Sequence, residues 1–301
     1  MRSETLRARE RHVAGDSLIA GKGASHGRSA SAAGAVRVAS ALIHVGTSGW
    51  HYKQWVGDFY PPRFPAAKML EFYAKELHTV EINNSFYRLP EAKTFEQWSK
   101  TVPDTFVFAV KASRFLTHIK RLKDPEDSIK LFFSRAKHLG AHLGPVLFQL
   151  PPKWKADVGR LGAFLQLLPE KQKHVIEFRD DSWYTAQIRE LLSRYNVALC
   201  LHDWRAADWA RELTADFTYI RFHGTTGRYA GNYPDHLLRS WAEEIRNWGK
   251  KLTEVFAYFN NDVGGHAIRN ARSLRAMLAC VGSAAPAIHC GSGNSTLHDA
   301  A

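Results

Sequence analysis

The feature that most constrains this chain is a repeated unit: a short apolar run that breaks off in polar residues, a loop, and then an amphipathic helical pattern. Residues 255 to 271 carry it clearly. The run Val255 to Phe259 stops at Asn260, Asn261 and Asp262, passes Gly264 and Gly265, and enters a helical pattern of Ile268, Ala271, Leu274 and Leu278. The other apolar runs are Ile43 to Thr47, Thr79 to Asn83, Phe106 to Lys111, Pro145 to Leu150, His174 to Phe178, Val197 to Leu201 and Phe217 to His223. Helical spacing between them is shown by Leu70, Tyr73 and Leu77, by Phe95, Trp98 and Val102, and by Leu238, Trp241, Ile245 and Trp248. Uninterrupted apolar strands alternating with amphipathic helices imply parallel strands covered by helices. Eight such units in about 240 residues point to an α/β fold, the closed (β/α)8 barrel of the TIM type, with a doubly wound open sheet as the alternative.

The barrel is expected over residues 42–283. Residues 1–16 are charged without an apolar face and 17–41 are mostly Ala, Gly and Ser, so 1–41 reads as disordered, and 284–301 as a loose tail. No run reaches the roughly 20 apolar residues of a membrane helix, and the N-terminus lacks the apolar stretch of a secretory leader. A soluble, cytoplasmic protein with no membrane partner is expected. Cys200, Cys280 and Cys290 have no metal-like spacing and are expected as reduced thiols. The net charge is +12; residues 1–40 hold seven Lys/Arg against three Asp/Glu, or +4, which leaves +8 elsewhere. That balance favours anionic partners, from small metabolites to nucleic acid.

In such a barrel, chemistry sits at the C-terminal strand ends, so the polar residues that break each run are the candidates. They are Glu81 and Asn83, Lys111, Gln149, Glu177 and Arg179, His202 and Asp203, Arg221 and His223, and Tyr258, Asn260 and Asn261. Alternation along a strand puts Glu81 with Asn83, Glu177 with Arg179, Arg221 with His223 and Tyr258 with Asn260 on common faces. Buried carboxylates need partners, so Glu81 and Glu177 should pair with Lys111, Arg179 or Arg221. Such pairing describes a structural ion-pair network as well as an active site. Two carboxylates, a lysine and two arginines, however, are not the branched apolar filling that barrel interiors normally have. The acidic and histidine residues also make a metal site an alternative, opposed by the three cations among them. Trp50, Tyr52, Trp55, Phe59 and Tyr60 after the first run and Arg114, His118, Lys120, Arg121 and Lys123 after the third form either rim packing or a nucleic-acid platform.

Several motifs also carry a family resemblance. They are Gly46-Thr47-Ser48-Gly49-Trp50 with Phe59-Tyr60-Pro61-Pro62, the run Thr79 to Arg88, the run Gly144 to Pro152, Glu177-Phe178-Arg179 and Tyr258 to Asp262. In this order, from about Ile43 to Leu278, the chain resembles family 72 of the domains of unknown function, the YecE-like proteins. The resemblance implies a TIM-type barrel and no particular reaction.

The leading expectation is an enzyme that acts on a small phosphorylated or carboxylated substrate by general acid–base catalysis, with no metal or other cofactor. Glu81 and Glu177 are candidate acids or bases, Lys111 an electrophile or proton donor, and Arg179, Arg221 and His223 the anion-binding groups. Thr47, Trp50, Asn83, Gln149, Tyr258, Asn260 and Asn261 complete the candidate substrate contacts. Gly264 and Gly265, beside the loop Gly224 to Gly231, are expected to hold an anion at a helix N-terminus. A nucleic-acid binder using the basic rim and a metal-dependent hydrolase or isomerase are the alternatives.

Overall fold

All eight expected strands form in the computed structural model of the chain, which describes residues 34–202, 212–226 and 229–280. They are β2 (Ala41–Ser48), β3 (Thr79–Ile82), β4 (Val107–Lys111), β5 (Leu143–Gln149), β6 (His174–Glu177), β7 (Ala198–His202), β8 (Phe217–Phe222) and β9 (Glu254–Phe259), preceded by a short β1 (Val36–Val38). Strands β2 to β9 pair in parallel in chain order. Strand β9 returns to β2 in a ladder from Leu42 opposite Glu254 to Thr47 opposite Phe259. That last ladder closes the sheet, so the fold is the (β/α)8 barrel and the open-sheet alternative falls away.

The helices are α1 (Met69–Glu76), α2 (Asn84–Tyr87), α3 (Ala92–Thr101), α4 (Glu126–Ala136), α5 (Val158–Gln166), α6 (Ala186–Arg194), α7 (Asp235–Trp248) and α8 (His266–Ala279). Each longer helix turns its apolar stripe inward; α7, for example, buries Leu238, Ala242, Ile245 and Trp248. Outward strand residues such as Val80, Ile82, Val110, Phe148, Ile176, Ile220 and Phe259 join these stripes in one outer core. The alternate residues Ala109, Leu147, Val175, Ala198, Cys200, Phe217, Tyr219, Phe256 and Tyr258 make a second apolar cluster inside the barrel. Continuing that alternation to the strand ends carries Ser48, Glu81, Lys111, Gln149, Glu177, His202 and Arg221 to the same interior. Gly46 belongs to the inward face of β2, where a β-carbon would lie 2.2 Å from the Thr79 carbonyl oxygen, so any side chain would force the strands apart.

One boundary differs from expectation. Val36 lies opposite Ile43 and Val38 opposite Ala41 in an antiparallel hairpin, so β2 supplies backbone partners to a strand of only three residues within the stretch expected to be disordered. The unexpected α2 occupies the loop after β3. Residues 1–33, the segment after β7 that contains Asp203, and the tail 284–301 lie outside the described residues. No helix among the described residues is long and apolar enough to cross a membrane.

Candidate functional site

The centre of the barrel mouth is Arg221, delivered by the C-terminal end of β8 and 1% exposed. Its Nε donates to Glu81 Oε2 at 2.9 Å and its Nη2 to Glu81 Oε1 at 2.8 Å, a two-pronged pairing across the barrel. Its Nη1 donates to Glu177 Oε2 at 2.8 Å, so one guanidinium ties β8 to both β3 and β6. Tyr219, two residues earlier on the same face, donates its hydroxyl to Glu81 Oε2 at 2.7 Å. The Ser48 hydroxyl bonds Glu81 Oε1, and Arg179 Nη2 pairs with Glu177 Oε1. Both carboxylates are fully buried. Desolvation by itself would push them toward the neutral form, but the arginines outweigh it and hold both below the ordinary carboxylate range. Burial opposes the charge of Arg221 as well, and the two glutamates more than restore it.

His223 bridges the arginines. Its Nε2 lies 3.0 Å from Arg179 Nη2 and 3.3 Å from Arg221 Nη1. Guanidinium nitrogens only donate, so Nε2 is an acceptor and the proton of a neutral ring resides on Nδ1.

Lys111, at the end of β4, is placed differently. Its Nζ donates to Gln149 Oε1 at 2.7 Å on the neighbouring β5 and sits 4.3 Å from the centre of the Phe86 ring in α2. Among the described residues no carboxylate lies within ion-pair distance of it. Burial first and the nearby Arg221 second lower its pKa from 10.5 to about 8. Lys111 is 8% exposed, against none for Glu81 and Glu177. The expected pairing of the glutamates therefore falls on Arg221 and Arg179, while Lys111 stands one strand aside.

The remaining candidates scatter. Tyr258 lies in the inner apolar cluster, with its hydroxyl 2.7 Å from Thr79 Oγ1. Thr47 faces the outer layer, where its amide donates to the Tyr73 hydroxyl at 3.0 Å and its own hydroxyl to Gly49 O at 2.7 Å. Trp50 and Asn83 line a cleft of about 410 Å3 with His51, Tyr52, Gln97 and Trp98. Asn260 donates its backbone amide to Phe222 O at 2.7 Å and is 8% exposed. Asn261 clamps backbone, with Nδ2 donating to Gly231 O at 2.8 Å and to Asn270 Oδ1 at 2.9 Å.

Gly264 and Gly265 both have positive φ, 77° and 70°, and form the turn into α8. The Gly265 amide donates to Asp262 O at 2.9 Å, and a β-carbon there would lie 3.3 Å from Asp58 Oδ2. A carboxylate already adjoins this helix start, which opposes a second anion by like charge. Gly224, at φ 114°, serves close packing: a β-carbon would lie 2.0 Å from Ala230 O.

Ser48, Tyr219, Phe86 and His118 are the members that strand-end polarity did not single out. Tyr219 had a usable signal, since it shares the inward face of β8 with Arg221 at a spacing of two. His118 meets Phe86 edge-on at 4.9 Å, and burial followed by the charge of Lys111 lowers its pKa to about 4. The sequence places it in the basic loop after the third run but not beside Lys111. Among the described residues no three His, Cys, Asp or Glu side chains are grouped to hold a metal ion. Cys200 is buried inside the barrel as a free thiol, and burial pushes its pKa up.

Comparison with known proteins adds a family. A family model described as "Protein of unknown function DUF72" matches residues 44–289. UPF0759 protein YunF of Bacillus subtilis is 27% identical over 79% of this chain and 95% of its own length. UPF0759 protein YecE of Escherichia coli K12 is 26% identical over 74% of this chain and 88% of its own. A crystal structure of a DUF72 family protein from Thermotoga maritima superposes with a TM-score of 0.72 at 27% identity, covering 78% of this chain and 98% of that one. One from Enterococcus faecalis has the same fold, with a TM-score of 0.70 at 20% identity over 79% of this chain and 95% of that one.

Proposed function

The chain belongs to the DUF72 family, and from that premise we propose that it is an enzyme that binds a small carboxylated or phosphorylated molecule at the barrel mouth and works by general acid–base catalysis without a metal. The observation that carries this reading is Lys111, a nearly buried amine with no carboxylate partner among the described residues and with a pKa lowered to about 8. A group titrating that close to neutrality exchanges a proton readily, whereas guanidiniums do not. Charge supports the anionic substrate: among the described residues Lys111, Arg179 and Arg221 stand against Glu81 and Glu177 alone. In this reading Lys111 carries the proton, Arg179 and His223 orient the anion, and Gln149 aims the amine. Glu81 and Glu177 serve the chemistry by holding Arg221, because their oxygens are already engaged by protein donors.

Titration of the protein with phosphate and oxalate, followed by NMR, tests it. Signals of Lys111 and Gln149 should move at millimolar ligand, and Lys111→Met should abolish the response. Movement confined to Gly264, Gly265 and Gly224 would put the anion at α8 and sink the Lys111 reading.

A second reading rests on the rim. Tyr87 is 74% and Phe115 52% exposed beside the exposed Arg88, Arg114 and Arg121, and Lys120 Nζ lies 5.8 Å from the Phe115 ring centre. Aromatics interleaved with cations suit single-stranded nucleic acid. Oligonucleotide affinity should then fall about 10-fold or more between 50 and 200 mM salt, while a buried metabolite site is far less sensitive.

A further inference from the structure

We propose that Lys111 Nζ is a covalent site that condenses with the carbonyl carbon of a small anionic aldehyde or ketone, a 2-oxo acid or a phosphorylated sugar, to form an imine. This names the substrate class of the acid–base reading above and rests on it.

Among the described residues the mouth holds three cations, and one of them has a nucleophilic form within reach. Guanidiniums stay protonated, so Arg179 and Arg221 serve as charge. Lys111 is the primary amine, and its surroundings favour loss of the proton. It is buried beside the charge of Arg221, and among the described residues no carboxylate pairs with it; the ring face 4.3 Å away and the Gln149 amide oxygen hold the amine in place. With a pKa of about 8, about a quarter of the amine is neutral at pH 7.5, against roughly one part in a thousand for an ordinary lysine. Desolvation together with a neighbouring cation is a recognised way to ready a lysine for carbonyl chemistry.

The rest of the site supplies what condensation needs. The neutral Nζ attacks the carbonyl carbon, the C=O pair moves to oxygen, and a proton passes from nitrogen to that oxygen to give a carbinolamine. Protonation of its hydroxyl releases water as the nitrogen lone pair forms the C=N bond, so no oxidant or reductant is consumed. His118, whose ring packs on the same Phe86 and whose lowered pKa leaves it neutral near pH 8, takes the proton that the Lys111 ammonium gives up and returns it to that hydroxyl. Its Nδ1 is engaged by Thr117 Oγ1 at 2.9 Å, which leaves Nε2 for the transfer. The carboxylate or phosphate of the substrate is drawn by Arg179, whose charge already acts on Lys111. The iminium then serves as an electron sink, which restricts the reaction to the class that makes or breaks a bond to the carbon next to the carbonyl.

The test is reductive trapping on the full chain. The protein is incubated with glyoxylate, and separately with glyceraldehyde 3-phosphate, in the presence of cyanoborohydride, and analysed by intact mass and peptide mapping. One adduct on the peptide bearing Lys111 is expected, formed about tenfold faster or more than on any other lysine, with a rate that rises through a midpoint near pH 8. Lys111→Arg, which keeps the charge and removes the nucleophile, should abolish it. Labelling spread evenly over surface lysines, or a bare Lys111 peptide, overturns the imine. If the wild type forms no adduct but still binds oxalate or phosphate through Lys111, the imine alone fails; if those anions are not bound either, the acid–base reading fails with it.

Discussion

Two buried cations a few strands apart in one barrel mouth have opposite environments. Arg221 is held by three carboxylate oxygens and by the Ser48 hydroxyl, and both of its glutamates are fully enclosed. Among the described residues Lys111 has one amide oxygen and one ring face. A charge whose whole field is answered inside the protein is a strut: it fixes strand ends and has nothing left for a ligand. A charge answered only by an amide and a ring retains unspent electrostatic attraction and a proton held less tightly. The contrast separates residues of the same polarity into scaffold and candidate chemistry, which residue type alone does not do.

The sharpest way to break the contrast is Arg221→Met. Two carboxylates would then be buried without their shared cation, and a cost of about 3–5 kcal/mol in unfolding free energy is expected, read by urea denaturation. A loss under about 1 kcal/mol would mean that Arg221 is no strut and that the glutamates find other partners.

Acid should dissect the same barrel in two stages. His44 and His78, which meet at 5.4 Å beside Phe256, and His174 are buried and have pKa values lowered from 6.5 to about 4, 3 and 4. Their unfolded forms bind protons first, so stability is lost as pH falls from 6.5 toward 4, by up to about 1.4 kcal/mol per unit of separation for each ring. Glu81 and Glu177 are depressed below 4.5, so their contribution is complete above that value and is lost only as pH falls below it. Urea midpoints measured at pH 7.5, 5.5, 4.5 and 3.5 should decline through both windows, and His78→Phe should flatten the upper one. A flat profile between pH 6.5 and 5 would contradict the neutral buried histidines.

The smallest expected effect is that of Lys111→Met. It removes a desolvated charge with no ionic partner among the described residues and replaces it with a chain of similar length, so stability should stay within about 1 kcal/mol of wild type or rise. Calorimetry decides; a drop matching that of Arg221→Met would make Lys111 a second strut and remove the distinction.

The expected strands from Ile43–Thr47 to Val255–Phe259 match β2 to β9 to within a residue or two at most ends because a strand buried on both faces must be apolar throughout, and that requirement is written locally. The hairpin strand Val36–Val38 was not legible. Its three residues are held by a ladder to β2, which depends on where the partner lies rather than on its own composition. In the site, Glu81, Glu177, Arg179 and Arg221 were legible as inward strand-end charges that had to pair. Asn261 and Thr47 looked equivalent by position, yet one clamps a loop and the other faces the helices.

The sequence by itself determined the barrel and the polarity of its mouth, since an apolar period and its interruption by charge are properties of neighbouring residues. Only the tertiary structure decided which charge goes with which. Arg221 reaches Glu81 across 140 positions and Glu177 across 44, while Lys111 reaches Gln149 across 38. Interaction energy depends on separation in space, and closure of β9 onto β2 determines which strand ends face one another across the mouth.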